Sequence, residues 1–212
     1  MITDSFAQHK LRISIFLLWL FNISGIIGIA MGYETWFLPL TPLNLIISFV
    51  FILIHHEMRG GLFLALLIPF ILGMVSELAG VNFGLIFGNY SYGENLGAKL
   101  YGVPWIIGVN WATLTYCTAA IARQITQRLP LAALIGSLLM VLLDLVIEQV
   151  APRFDFWEFN QGIVPLQNYV GWLVVAFLAH ILFQKTIKSF SLTLSLHIYL
   201  TMLVFFLTFL VL

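Results

Sequence analysis

Three acids stand where a chain this apolar has little reason to keep them. Asp144 and Glu148 lie four residues apart in LIGSLLMVLLDLVIEQVA, so they share one face of a helix. Glu77 sits in PFILGMVSELAG, a second apolar run. An ionisable side chain inside a membrane span is costly, and such residues mark functional sites. A carboxyl group in apolar surroundings is harder to ionise, and a like charge nearby raises one member of a pair further. A protonated acid beside an ionised one is what general acid–base chemistry needs. The structural alternative for the pair is contact with interfacial water or with Arg153.

The elements that must hold these acids follow from composition. The 212 residues are 61% hydrophobic and 8% charged, with mean hydropathy +1.04. These values exclude an ordinary soluble domain. Net charge is zero, so there is no electrostatic footprint for nucleic acid. The single Cys117 cannot form an internal disulfide. The first apolar run exceeds a signal-peptide core and lacks a small-x-small cleavage site, so it reads as a retained span.

Seven runs are long enough to cross a bilayer: 13–32, 38–55, 61–80, 101–122, 130–150, 168–184 and 189–212. The second is interrupted at its start by Pro39 and Pro42. The expected fold is all-α, a polytopic membrane bundle of about seven helices. No linker, low-complexity tract or repeat divides it, so residues 1–212 read as one integral membrane domain. Two polar stretches, 81–100 and 151–167, exceed a turn and fall on the same side.

Charge sets the expected orientation. Lys10, Arg12, Arg59, Arg123, Arg128, Lys185 and Lys188 fall on the N-terminal side, and only Lys99 and Arg153 on the other. This bias places the N-terminus in the cytoplasm and the C-terminus outside, in a multi-pass cell-membrane protein. Glu34, Glu94, Asp155 and Glu158 fall in outer loops, and Trp36, Trp105, Trp157 and Trp172 near outer span ends, as interface aromatics do. At a rise of 1.5 Å per residue, Glu77 lies roughly 24 Å along its span, and Asp144 and Glu148 about 20 and 26 Å along theirs. All three belong to the outer half. Asn110 falls near the middle of the fourth span, beside Trp111.

Other motifs carry less. D-x-x-x-E is also the acidic pattern of membrane prenyltransferases, but those need two Asp-rich clusters with basic neighbours, and here one cluster has apolar flanks. A rhodopsin needs a Lys in its last helix, and 189–212 has none. His55-His56-Glu57 does not present both imidazoles to one ion, because adjacent helical residues point about 100° apart. A diiron site would need several His clusters, and only His180 and His197 remain within spans. The segment FGNYSYGENLG (87–97) has no Lys-Ser/Thr after it and is expected to hold no strand. It reads as a re-entrant loop or as an anchor with Tyr90 and Tyr92 at the interface.

Taken together, FGNYSYGENLGAKLYGVPW (87–105), Asn110-Trp111, DLVIE (144–148) and VPLQNYVGW (164–172) resemble the carotenoid hydratase family. Its members include carotenoid 1',2'-hydratases and haloarchaeal bisanhydrobacterioruberin hydratases. The resemblance runs from Glu77 to Trp172 in the same order. The chain departs from the family pattern at three points. Gln149 stands where a proline follows the D-x-x-x-E, Trp157-Glu158-Phe159 replaces Trp-x-Trp, and Gln161-Gly162 replaces Tyr-Tyr-Gly.

The resemblance implies a lyase that adds water across the terminal double bond of an acyclic ψ end group, giving a tertiary alcohol. It implies Asp144, Glu148 and Glu77 as catalytic residues, and Tyr90, Tyr92, Asn110, Trp111, Trp157, Asn168 and Trp172 as substrate-binding residues. No metal or organic cofactor is expected. The expected partners are a membrane-embedded carotenoid, water, the lipid bilayer and other carotenoid biosynthesis enzymes. The residues suit that chemistry on their own terms. A buried acid protonates the alkene, carboxylate and aromatic faces stabilise the cation, and a second carboxylate activates water. The competing expectations are an end-group cyclase or isomerase, a non-catalytic lipid or carotenoid binder, and a small proton-coupled transporter. No inverted halves favour transport.

Overall fold

The computed structural model describes residues 2–56, 59–160 and 162–212. Glu57 and Gln161 lie outside the described residues. Helix α1 spans Ile2–Ala30; α2 (Glu34–Phe37) and a 3-10 turn (Leu38–Leu40) lead into α3 (Thr41–Ile54). The remaining helices are α4 (Arg59–Phe83), α5 (Trp105–Ile125), α6 (Leu129–Ile147), α7 (Leu166–Thr186) and α8 (Leu192–Val211). Counting Glu34–Ile54 as one, seven helical runs among the described residues are long and apolar enough to cross a membrane. The protein is a multi-pass helical membrane bundle. The stepped start of the second run follows from its prolines. Pro39 and Pro42 occupy the first turns of the 3-10 and α3 segments, where a missing N–H costs least.

Helix α5 is the axis of the bundle and packs on α3, α4, α6, α7 and α8. Its buried residues include Ala112, Thr113, Thr115, Thr118, Ala119 and Ala120. Small side chains let neighbouring backbones approach, which is how helices associate where lipid removes the hydrophobic drive. The most extensive helix pairing is α6 with α7, the pair that carries Asp144 and Asn168. Polar ties pin the opposite end. His180 on α7 bonds Thr118 on α5 at 3.0 Å, and Gln184 bonds both His180 (3.0 Å) and Arg123 (2.7 Å). His55 meets Ser14 at 2.9 Å. These histidines serve as packing ties between helices.

The two long loops lie together at one end, here the loop end. One expectation is corrected there: segment 87–97 does contain a strand. Tyr90–Tyr92 pairs antiparallel with Trp157–Phe159, with Ser91 opposite Glu158. The physical reason is backbone satisfaction. Polar backbone over the end of an apolar bundle needs partners, and each loop supplies the other's. A second two-strand piece, Lys99–Leu100 with Val103–Pro104, turns through Tyr101 and Gly102. Both turn residues have positive φ, as a tight hairpin turn of this hand requires. The fourth span therefore begins at Trp105 rather than at 101. The fifth ends at Ile147, which makes Glu148 the cap; its N–H still bonds the Asp144 carbonyl at 2.9 Å.

Candidate active site

The three acids converge beneath the paired loops. Glu77 lies one turn above Gly73 and less than one turn below Gly80 on α4. A Cβ at Gly73 would run into the Trp111 ring, and one at Gly80 would come within 2.8 Å of Tyr90. The two glycines thus cut notches that admit those rings to the carboxylate between them. Trp111 Nε1 donates to Glu77 Oε1 at 3.0 Å, Tyr92 Oη donates to Oε2 at 2.7 Å, and Tyr90 donates to the same oxygen. Glu77, 3% exposed, thus receives three donors.

Strand alternation explains both tyrosines. In the loop ribbon Tyr90, Tyr92, Trp157 and Phe159 share one side, and Ser91 and Glu158 turn outward and are exposed. Tyr90 packs on Phe159 at 5.2 Å between ring centroids and Tyr92 on Trp157 at 5.9 Å. The ribbon is a lid with an aromatic underside. Burial, and then the Glu77 carboxylate, push both phenols above their usual range, so they keep their protons and remain donors. The anchor reading of Tyr90 and Tyr92 is therefore replaced: both turn inward onto Glu77.

Asp144 and Glu148 share one amide. Asn168 Nδ2, in the first turn of α7, donates to Asp144 Oδ2 at 3.0 Å and to Glu148 Oε1 at 3.1 Å. Trp157 Nε1 reaches down from the ribbon to Glu148 Oε2 at 3.0 Å. All three acids are buried. Arg153 pairs instead with Glu34 at 3.6 Å, so the arginine alternative for Asp144 and Glu148 falls away.

The acids and lid enclose a cavity of about 30 Å³, room for roughly two waters. Of the ten residues singled out from sequence, Glu77, Tyr90, Tyr92, Asn110, Asp144, Glu148, Trp157, Asn168 and Trp172 line it. Trp111 stands just behind, its ring stacked on Trp172 at 4.1 Å and 14°. Trp172 is corrected in one respect. It is 9% exposed and faces the site, whereas Trp36 and Trp105 are exposed as interface aromatics are. Asn110 Oδ1 is buried and has no hydrogen-bond partner among the described residues.

Several lining residues escaped the sequence reading: Phe87, Ile107, Leu114, Met140, Ile147 and Phe159. Phe87 is the most informative. Gly84, Ile86 and Gly88 all have positive φ and dip the loop into the bundle, where Phe87 meets Trp111 and Trp172. The two close-set glycines were the available signal for that dip. Phe159 stands opposite Tyr90 in the ribbon and packs on its ring. Among the described residues no group of three or more His, Cys, Asp and Glu is arranged to hold a metal. The acids are bonded to amide, indole and phenol donors instead.

The sequence model of a family described as carotenoid biosynthesis protein matches residues 40–212. A bisanhydrobacterioruberin hydratase from Haloarcula japonica is 30% identical over 138 residues, covering 60% of this chain. The chain spans 46% of that relative's length, a little under half. No solved structure matches.

Proposed function

This chain belongs to the carotenoid biosynthesis protein family, and from that premise we propose that it is a hydro-lyase for an acyclic carotenoid ψ end group. The observation that carries the reading is the unequal supply of donors to three buried acids around one water-sized cavity. Glu77 receives three donors, Glu148 two and Asp144 one. An ionised carboxylate only accepts, so the best-supplied acid suits the anion and the least-supplied suits the proton.

Asp144 is then the general acid. It delivers its proton to the less substituted carbon of the terminal alkene, and the more substituted carbon becomes a tertiary cation. Glu77 and the faces of Trp172 and Tyr90 stabilise that cation. Water attacks it, held by the unpartnered Asn110 Oδ1, and loses a proton to Glu148. Transfer of that proton back to Asp144, across the site that Asn168 bridges, restores the starting state. Net, one alkene and one water become one tertiary alcohol. The lid keeps bulk water out, so that the cation meets one positioned molecule.

A cyclase begins with the same protonation but closes a ring on a neighbouring alkene. The buried polar pocket with an orphan acceptor favours water capture over ring closure. Expression in a lycopene-producing host separates the readings. A hydratase gives pigment heavier by one water, a cyclase gives an isomer of equal mass, and a binder or transporter leaves the pigment unchanged. Only the first outcome agrees with this proposal.

A further inference from the structure

The acid site adjoins a second, larger space. A groove of about 270 Å³ runs between α1, α3 and α8 at the loop end. Its walls are mostly apolar: Phe21, Gly25 and Ile29 from α1, Leu43 and Ile47 from α3, and Phe205 and its neighbours from α8, with Asn22 and Asn44 bonded to each other among them. Ile107, Asn110, Ile147 and Trp157 line this groove and the acid cavity alike. The two spaces therefore meet at the indole that bonds Glu148 and at the orphan carbonyl of Asn110. At the far side, Phe21 and Leu43 are exposed on the outside of the bundle, so the groove opens sideways between α1 and α3.

We propose that this groove seats the polyene chain of the substrate, which enters from the lipid between α1 and α3 and presents one end to the acids. The proposal rests on the hydratase reading for what happens at that end, but not for the seat itself. Three features select a long, extended apolar chain. The walls carry no charged side chain. The mouth faces the hydrocarbon region, the phase in which such a chain is dissolved. The closed end is the polar cavity, which admits only a narrow terminus. Size also decides how much is held. From Leu40 to Ile47 the groove follows α3 for about 10 Å, against a C40 polyene roughly as long as the ~30 Å hydrocarbon core. One end is seated, and the remainder stays in lipid.

The test is thiol protection at Leu43→Cys, with lycopene as the probe in detergent-solubilised full-length protein. Cys117 is buried, so a maleimide reports on position 43. Lycopene should slow modification at least tenfold, and should do so equally in an Asp144→Asn background, where hydration is not expected. Gly25→Phe, which adds a ring to the groove wall beside Phe205, should remove the protection. An unchanged modification rate with lycopene overturns the groove assignment, whether or not the protein adds water. Equal protection by a saturated phospholipid chain also overturns it, because the seat would then be generic to lipid. Protection without any hydrated product leaves the groove standing and refutes the hydratase reading instead.

Discussion

At the residue scale the account turns on unequal hydrogen bonding to chemically similar acids. Asp144 and Glu148 share the Asn168 amide, yet only Glu148 also receives the Trp157 indole. Asp144→Asn removes the proposed proton donor, and Glu148→Gln removes the proposed base. Each should lower hydration about 10²- to 10⁴-fold, the usual worth of positioned acid–base catalysis. Protein levels in the membrane should not fall, since neither variant adds a charge at a buried position. Pigment yield normalised to protein by immunoblot checks both halves. Full activity in both variants would make the carboxylates structural. These acids were legible in the sequence because charge inside an apolar run is conspicuous. Phe87 was not, because an apolar residue in a loop announces nothing until the backbone folds it inward.

At the element scale the site exists because α4 is notched and the loop ribbon can settle into the notches. Gly80→Ala tests the notch. Alanine is the better helix former by roughly 1 kcal/mol, so α4 itself should gain. The added methyl, however, would crowd Tyr90 at 2.8 Å and loosen its bond to Glu77. Hydration should fall at least tenfold while thermal stability holds or rises. Combined with Tyr90→Phe, the two losses should fall well short of multiplying, because both act through one contact. Fully multiplicative losses would contradict this coupling. The helices were legible from hydropathy, but the strand Tyr90–Tyr92 was not. Its partner Trp157–Phe159 lies more than sixty residues away, and three residues are too few to show a period. The trace it leaves is a pair of aromatic-polar-aromatic triplets, YSY and WEF, one in each long loop.

At the scale of the whole molecule, both long loops, the acids and the groove mouth gather at one end of a seven-helix bundle. The basic residues gather at the other: seven of the nine lysines and arginines belong to the N-terminal side. From the positive-inside bias we infer that the acid site lies in the outer half of the membrane. A periplasm-active reporter fused after Leu212 should be active, and a cytoplasm-active one silent. The reverse pattern would invert the molecule and turn the site toward the cytoplasm. The number of spans could be read from the chain because each apolar run is long. The convergence of the three acids on one cavity could not, since depth along a helix says nothing of rotation about it.

The central claim is that oxygen enters the product from water, by protonation and capture. Isotope labelling tests it most directly. Purified protein is given an acyclic carotenoid in H₂¹⁸O under ordinary air, and in parallel in ordinary water under ¹⁸O₂, without added nucleotide. The account predicts a tertiary alcohol carrying ¹⁸O from water and none from dioxygen, formed equally well without oxygen. Label arriving from ¹⁸O₂ would contradict it, and with it the roles assigned to Glu77, Asp144 and Glu148.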